Sequence, residues 1–503
     1  MKLPAPTWTA TATAMRTAAR YRRLPTAATG PGSGRCTAIL AAAAAPVPFP
    51  NQHPLLHAAY PADPKADWAV RRVPAGDRAV AEELAAKTYA ERREALYGPL
   101  RRDGSFVWDS MYGDEYALAS LHPVTAEFCR TLRSAAEKLG GVYARTAEVL
   151  QQADDELLAE LGLPQATWQA VRSSLPSLLP TVLGRFDFAA TAQGVKMLEF
   201  NAETPTDVVE AFYVNGKVCE FFGATDPNQA LAAELSRAFQ RSVAAYRDSG
   251  FAVERVVFSS VDWHDEDAGT TRFLLAQSGL AGKFVPLSQL RLFEDRLQVW
   301  DGQAHEPVDL LYRLHPLEKM AEEQDGDGYP TGRHVLEIVA EGRLALVNPP
   351  AAMLAQSKAT QALIWSLYED GSFFSPEERA AIAAHMLPTY FENRFLGRCP
   401  YVTKPVYGRE GGAVTIYGSD GVAWTRDDEC NYWEQPLVYQ QYVALPKQTV
   451  RTLNGLYCGR IIYGTFLVGG RGSALVARVG SRITGNMAYY QPLCLSTDAS
   501  KGE

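Results

Sequence analysis

Polar and apolar positions change their period along this chain. Between Ala66 and Ser174 apolar residues recur at three- and four-residue spacing, the period of an amphipathic helix. DRAVAEELAAKTYAERREALYG predicts a helix ending at Gly98, and PVTAEFCRTLRSAAEKLGG a second that stops at Gly140–Gly141. RTAEVLQQADDELLAELGLP and QATWQAVRSSL continue the helical texture. From Pro180 strands alternate with helices: LGRFDFAA and GVKMLEFNA read as strands, PNQALAAELSRAFQRSVAAYRDSG as a helix, VERVVFSSV as a strand. After Pro400 the chain is mostly strand, through YVTKPVYG, LVYQQYVAL, LYCGRIIYGTFLVGG and SALVARVG. The expected class is α+β, with a helical N-terminal region at 63–175, an α/β region at 176–345 and a β-rich C-terminal lobe at 346–503.

The stretch RFDFAATAQGVKMLEFNAETPT carries the most informative pattern. Side chains alternate faces along a strand, so Arg185 and Asp187 share one face while Phe186 and Phe188 share the other. With Ala192–Gly194 as a three-residue hairpin loop, Asp187 faces Glu199 and Arg185 faces Asn201. Phe186, Phe188, Leu198 and Phe200 then form an apolar back face. Opposed carboxylates repel, so something positive belongs between them. One reading is Mg²⁺ on Asp187, Glu199 and the Asn201 carbonyl, with Arg185 meeting a phosphate or carboxylate oxygen. The other is a structural cross-strand ion pair on a half-exposed sheet. The hairpin alone leaves both open.

Composition narrows the class. The chain has 503 residues, 47% hydrophobic and 21% charged, with net charge −8. That is ordinary globular composition without the basic surplus of a nucleic-acid binder. It contains no apolar run of membrane-spanning length, so no membrane partner is expected. Seven scattered cysteines without CxxC spacing predict reduced thiols and a cytoplasmic protein. Residues 1–62 hold no Asp or Glu and are rich in Arg, Ala, Thr and Pro. They predict a disordered extension, with a targeting segment or an over-long start as the alternatives.

A second set of residues adds phosphate chemistry. YVTKPVYGREGGAVTIY places Lys404 at a strand end, then Gly408, Gly411 and Gly412, then another strand. Glycine admits close approach of backbone N–H groups to phosphate, and a strand–loop–strand setting suggests a lid over a nucleotide. A plain Gly-rich hairpin turn is the alternative. Lys358 lies near a helix start after NPP, and the strand holding Gln440 and Gln441 offers backbone to adenine edges. Arg478, alone in the apolar strand SALVARVG, is costly there unless it meets an anion.

Together RFDF…GVKMLEFNAETPT, LYRLHPLEKM, NPPAAMLAQSKA, YVTKPVYGREGGAV, LVYQQYVALP and ITGN resemble the synthetase domain of the glutathionylspermidine synthase family and its amidase-less relatives. They span about residues 180 to 490 in the family's order. The resemblance implies an ATP-grasp-like fold with its nucleotide-binding region at 346–503. It implies an ATP-dependent carboxylate–amine ligase that makes an amide through an acyl phosphate, from a peptide or amino-acid carboxylate and a small amine. By position it gives Asp187, Glu199 and Asn201 as Mg²⁺ ligands, for two ions. Lys358, Lys404, Gly408, Gly411, Gly412, Gln440 and Gln441 become ATP-binding residues, and Arg185 and Arg478 the arginines at the transferring phosphoryl group. Glu203, Thr204, Asp207, His315 and Glu318 fall where substrate is expected, and there the sequence departs from its relatives: NAETPTD stands for NADTPTS, and HPLE for YPWE. No amidase domain precedes the synthetase region, so no amide hydrolysis is expected. A non-catalytic nucleotide-binding relative and a metal-dependent phosphohydrolase are the competing readings.

Overall fold

The computed structural model describes residues 75–427 and 432–496. The predicted extension at 1–62, with Cys36, and also Cys430, lie outside the described residues. Every contact given below lies within the unit that includes Leu84–Glu503; of the other unit, Arg23–Glu83, the described residues are helical.

The first helix, Ala75–Arg102, does not stop at Gly98 but continues through Pro99. Leu96, Tyr97 and Leu100 are buried there, and packing overrides the weak helix preference of the Gly–Pro pair. The second, Ala126–Leu150, likewise runs through Gly140–Gly141. Its buried face, including Leu132, Leu139, Tyr143 and Ala147, is continuous, and Thr125 caps its start by accepting from Phe128 N at 3.0 Å.

Three sheets position the site. The first is antiparallel and runs in the order Tyr489–Tyr490, Arg471–Gly480, Gly455–Val468, Leu183–Thr191, Gly194–Asn201, with Lys447–Thr452 added against Gly455–Val468. Its strands bury both faces. Leu475, Ala477 and Val479 join one core with helix Ala126–Leu150, while Ala474 and Val476 join another with Phe239, Phe258 and Tyr312. The second is an all-parallel sheet in the order Ala345–Val347, Leu310–Arg313, Val256–Ser260, Gly282–Pro286. The third is antiparallel, in the order Thr389–Tyr390, Leu437–Gln441, Tyr401–Pro405, Thr415–Tyr417, Ala423–Arg426. The mixture is α+β. No described helix is long and apolar enough to cross a membrane.

Candidate active site

The hairpin Leu183–Asn201 has the expected pairing at its polar end, Arg185↔Asn201 and Asp187↔Glu199. Near the turn the register differs by one: Thr191 pairs with Gly194, Phe188 with Met197. The loop is therefore two residues, and the extra residue sits in the second strand as a bulge at Leu198. Two consequences follow. Met197 takes the place expected for Leu198 on the apolar back face, beside Phe186, Phe188 and Phe200, and Leu198 lines the cleft instead. The carbonyl of the bulged Leu198 accepts from Lys404 Nζ at 2.8 Å and from Gln440 Nε2 at 3.3 Å. The bulge thus ties the hairpin to the strands carrying Lys404 and Gln440.

The back face is held by stacking of Phe186 on Phe200, with ring centres 3.8 Å apart, and by the edge of Tyr143 from the long helix. On the front face Arg185 donates to Asp187 at 2.8 Å and to Asp207 at 2.6 Å. Arg478 donates to Asp187 at 2.8 Å and lies 3.5 Å from Asp207. Gly464, paired opposite Asp187, makes room for this: a Cβ there would lie 2.9 Å from Arg185 Cδ. Burial disfavours charge on Arg185, but Asp187 and Asp207 raise its pKa above the ordinary value.

Glu199 faces the lysines. Lys358, first residue of helix Lys358–Asp370, lies 3.4 Å from Glu199 and donates to the Gly408 carbonyl at 2.7 Å. Burial alone would raise the Glu199 pKa; Lys358 and Lys404 outweigh it, and the carboxyl is held at about 2. Lys404 is pushed down to about 8, by burial first and by Lys358, against the pull of Glu199. Asn201 donates to Asp187 at 3.3 Å and to Glu199 at 3.5 Å. Around the hairpin, four cations (Arg185, Arg478, Lys358, Lys404) meet three carboxylates (Asp187, Asp207, Glu199). The surplus positive charge suits an anionic ligand.

Arg185, Asp187, Glu199, Asn201, Lys404 and Arg478 border one cleft of about 380 Å³, with Lys358 and Asp207 behind them. Its apolar wall is Val402, Val414, Ile416, Leu445 and Ile462, with Gln440, Gln441 and Tyr442 along one side. Gly411, at φ +78°, lines it and admits no side chain, since a Cβ would lie 2.8 Å from Ile483. Gly412 N closes the turn on Arg409 O at 2.8 Å.

The substrate-side candidates are distributed differently. Glu203 is fully buried, 2.7 Å from Arg313, and accepts from Leu317 N at 2.7 Å. Glu318 accepts from Arg409 at 2.8 and 3.0 Å, and Arg409 also donates to Thr204 at 3.0 Å. Thr204 lines the cleft. Asp207 is held below the usual carboxylate range, against its burial, by Arg185 and Arg478. His315 lies 2.7 Å from Glu323 and lines a separate cavity of about 510 Å³ with His334 and Asp295.

Several residues at the site were not singled out from sequence. Asn348 donates to the carbonyls of Leu183 and Glu203 and accepts from Val182 N and Leu183 N, fixing both ends of the hairpin. Gln356 accepts from Ala202 N and Glu203 N. Arg313, alone in the apolar word LYRL, carried the signal that marked Arg478. Arg409 stands inside GREGG, where the glycines drew attention. Glu210 and Glu266 sit in words without any recognisable motif, VVEAF and WHDEDAG.

Comparison with known proteins places this architecture. Residues 92–496 match the family described as glutathionylspermidine synthase preATP-grasp. A putative acid–amine ligase of Haemophilus influenzae is 25% identical over 404 residues, 78% of this chain and 91% of that protein. Glutathionylspermidine synthase of Crithidia fasciculata is 25% identical over 319 residues, 58% of this chain but 42% of its own length. Bifunctional glutathionylspermidine synthetase/amidase of Escherichia coli is 25% identical over 337 residues, and the match spans 50% of it. A glutathione synthetase-like effector from Globodera pallida shares the fold, with TM-score 0.50 at 11% identity over 82% of this chain and 98% of its own. The chain belongs to the glutathionylspermidine synthase preATP-grasp family.

Proposed function

We propose that the chain is an ATP-dependent carboxylate–amine ligase that forms an amide through an acyl phosphate. The observation that carries this is the convergence of Lys358, Lys404, Arg185 and Arg478 on the hairpin carboxylates Asp187 and Glu199, which line a cleft with an apolar wall. The apolar wall suits adenine, and the lysines suit the triphosphate. Asp187, Glu199 and Asn201 form the hard oxygen set that Mg²⁺ takes, and Glu199 is held ionised for it. Bound there, as one or two ions, Mg²⁺ supplies charge neutralisation at the phosphoryl oxygens. Arg185 and Arg478 stabilise charge on the transferring group, and the turn around Gly411 covers it. The acid's carboxylate takes the γ-phosphoryl group; the amine nitrogen then attacks the carbonyl carbon, and inorganic phosphate leaves. The relatives' names support a peptide or amino-acid carboxylate as acid and a small amine as partner. The free cysteines of the described residues support a cytoplasmic setting.

The test is ADP release by the purified chain with Mg·ATP and a panel of acids and amines, with mass spectrometry of the products. A product heavier than the acid by amine minus water is expected. Absence of Mg·ATP binding at millimolar concentration overturns the proposal.

A further inference from the structure

The second cavity, of about 510 Å³, shares no lining residue with the cleft. Its floor is Leu297, Leu311, Met320 and Val335, all buried, with Leu290 and Leu292 half-buried beside them. Its edge is acidic. Glu294 and Asp295 form the two-residue turn between strands Leu290–Phe293 and Arg296–Trp300, at φ +49° and +54°. That turn favours Asn, Asp and Gly, so Glu294 is held there against its own preference. Glu323 and Asp325, ahead of helix Thr331–Ala340, complete the edge. Among the described residues, only Asp295 of these four acids meets an arginine, Arg343 at 3.1 Å. Arg291, the one arginine lining the cavity, donates instead to the carbonyls of Ser288 and Leu290. The first N–H groups of the helix, of Thr331 and Gly332, already donate to the carbonyls of Tyr329 and Glu323, so they do not call for an anion.

His315 is a separate sign of a ligand. Its Nε2 is buried and lies 2.7 Å from Glu323, yet out of line for a hydrogen bond, so a ring nitrogen beside the acids is unsatisfied. His334, by contrast, is bonded at both nitrogens, to Asp295 at 2.6 Å and to Tyr329 at 2.9 Å. The word HPLE thus serves two places: Glu318 meets Arg409 beside the cleft, and His315 turns to this cavity. We propose that the cavity is a binding site for a small organic cation, an ammonium or guanidinium group carried on an aromatic or branched apolar body. The body lies on the leucines and Val335, and its burial supplies the non-directional part of the affinity. The head group meets Glu294, Glu323 and Asp325, and His315, with its proton on Nδ1, accepts one of its N–H groups. The ring of Tyr329, half exposed at the edge, offers its face to the same charge. A bare metal ion suits the place less well: among the described residues, the one group of three or more acids, His or Cys that could converge on an ion lies elsewhere. An anion is repelled by the edge. The site takes part in no step of the ligase reading and does not depend on it.

The experiment is calorimetric titration of the full chain with three probes. Phenethylammonium has both charge and body, phenylacetate has the same ring on an anion, and methylammonium has the charge without the body. Phenethylammonium should bind with a Kd below about 1 mM, and the other two roughly tenfold or more weakly. Glu294→Gln combined with Glu323→Gln, both at exposed positions, should weaken phenethylammonium about tenfold with the melting temperature unchanged. Leu292→Trp, which fills the cavity and keeps every charge, should weaken it at least as much; if that variant does not fold, the paired glutamine variant carries the test. No phenethylammonium binding at about 10 mM overturns the proposal. So does equal affinity for phenylacetate, or unchanged affinity in the paired glutamine variant. Loss of binding in Glu266→Gln instead would put the probe in the cleft and overturn it too. None of these readings uses ATP turnover, so failure here leaves the ligase reading standing, and failure of that reading leaves this site standing.

Discussion

Replacing Glu203 by alanine separates a structural clamp from a substrate contact. The carboxylate is fully buried, 2.7 Å from Arg313, and accepts from Leu317 N at 2.7 Å. Arg313 is itself fully buried; Nη1 also donates to the His315 carbonyl at 2.6 Å, and Nε and Nη2 have no partner. Deleting the carboxylate therefore strands a guanidinium in the core, which costs about 3–5 kcal/mol when one partner of a buried pair is removed. The Leu317 N–H loses its acceptor as well, worth about 1 kcal/mol. Glu203→Gln keeps that acceptor and should lose less. Arg313→Met with Glu203→Gln removes both charges and should recover at least half of the alanine loss. Urea denaturation followed by Trp fluorescence reads this directly, as a fall in midpoint at constant slope. If Glu203→Ala keeps wild-type stability while product formation vanishes, the clamp is wrong and Glu203 meets substrate.

Asp187→Asn and Glu199→Gln should each lower ADP release by at least a hundredfold while the melting temperature stays within a few degrees; aggregation of either would favour the purely structural ion pair. Lys404→Met should weaken Mg·ATP binding about 10–100-fold, the worth of one charge-assisted hydrogen bond. Because Lys404 is held near 8, wild-type nucleotide affinity should fall as pH rises through that value, and titration calorimetry from pH 6.5 to 9.5 should show no such step in the variant. Glu210 has a folded pKa of about 7 against an ordinary 4.5, so its contribution to stability is present below pH 4.5 and lost as pH rises through 7. Glu210→Gln should therefore gain on wild type by up to about 3 kcal/mol at pH 8 and by little at pH 5, in paired denaturation curves without added amine.

Much of the hairpin was legible because strand alternation is a local rule. It sorts Arg185, Asp187, Glu199 and Asn201 to one face whatever the loop does. The bulge was not legible: two- and three-residue loops both suit the sequence around Gly194, and choosing between them needs the partners of the Leu198 carbonyl, some 200 residues downstream. The acids of NAETPTD and HPLE show the same limit. Their charge is visible in sequence, whereas the cation each meets is not; Glu203 finds Arg313, Glu318 finds Arg409, and Asp207 finds Arg185. Helix ends failed for a related reason. Glycine and proline mark them by local preference, and buried Tyr97 and Leu100 decide otherwise. Lone cations inside apolar strands were the better long-range signal, because a buried charge must have a partner even when the sequence does not say which.

The sequence of charges along the cleft gives the proposed reaction its direction. Lysines stand at Glu199, arginines at Asp187 and Asp207, and further acids around Glu266. A triphosphate is favoured at the first and a carboxylate acquiring a phosphoryl group at the second. Either anion is repelled from the acids at Glu266, so the same charges that hold phosphate and carboxylate at the lysines and arginines keep them from that end. Asp207 is the hinge of this arrangement. With Ser at that position, as in the family's usual NADTPTS, Arg185 and Arg478 would lose one of their two carboxylates, and the Glu210–Glu266 pair would lose a neighbouring negative charge. The change from Ser to Asp therefore alters the arginine end and the neighbouring acids together, while the lysines at Glu199, which Asp207 does not touch, are left as they were.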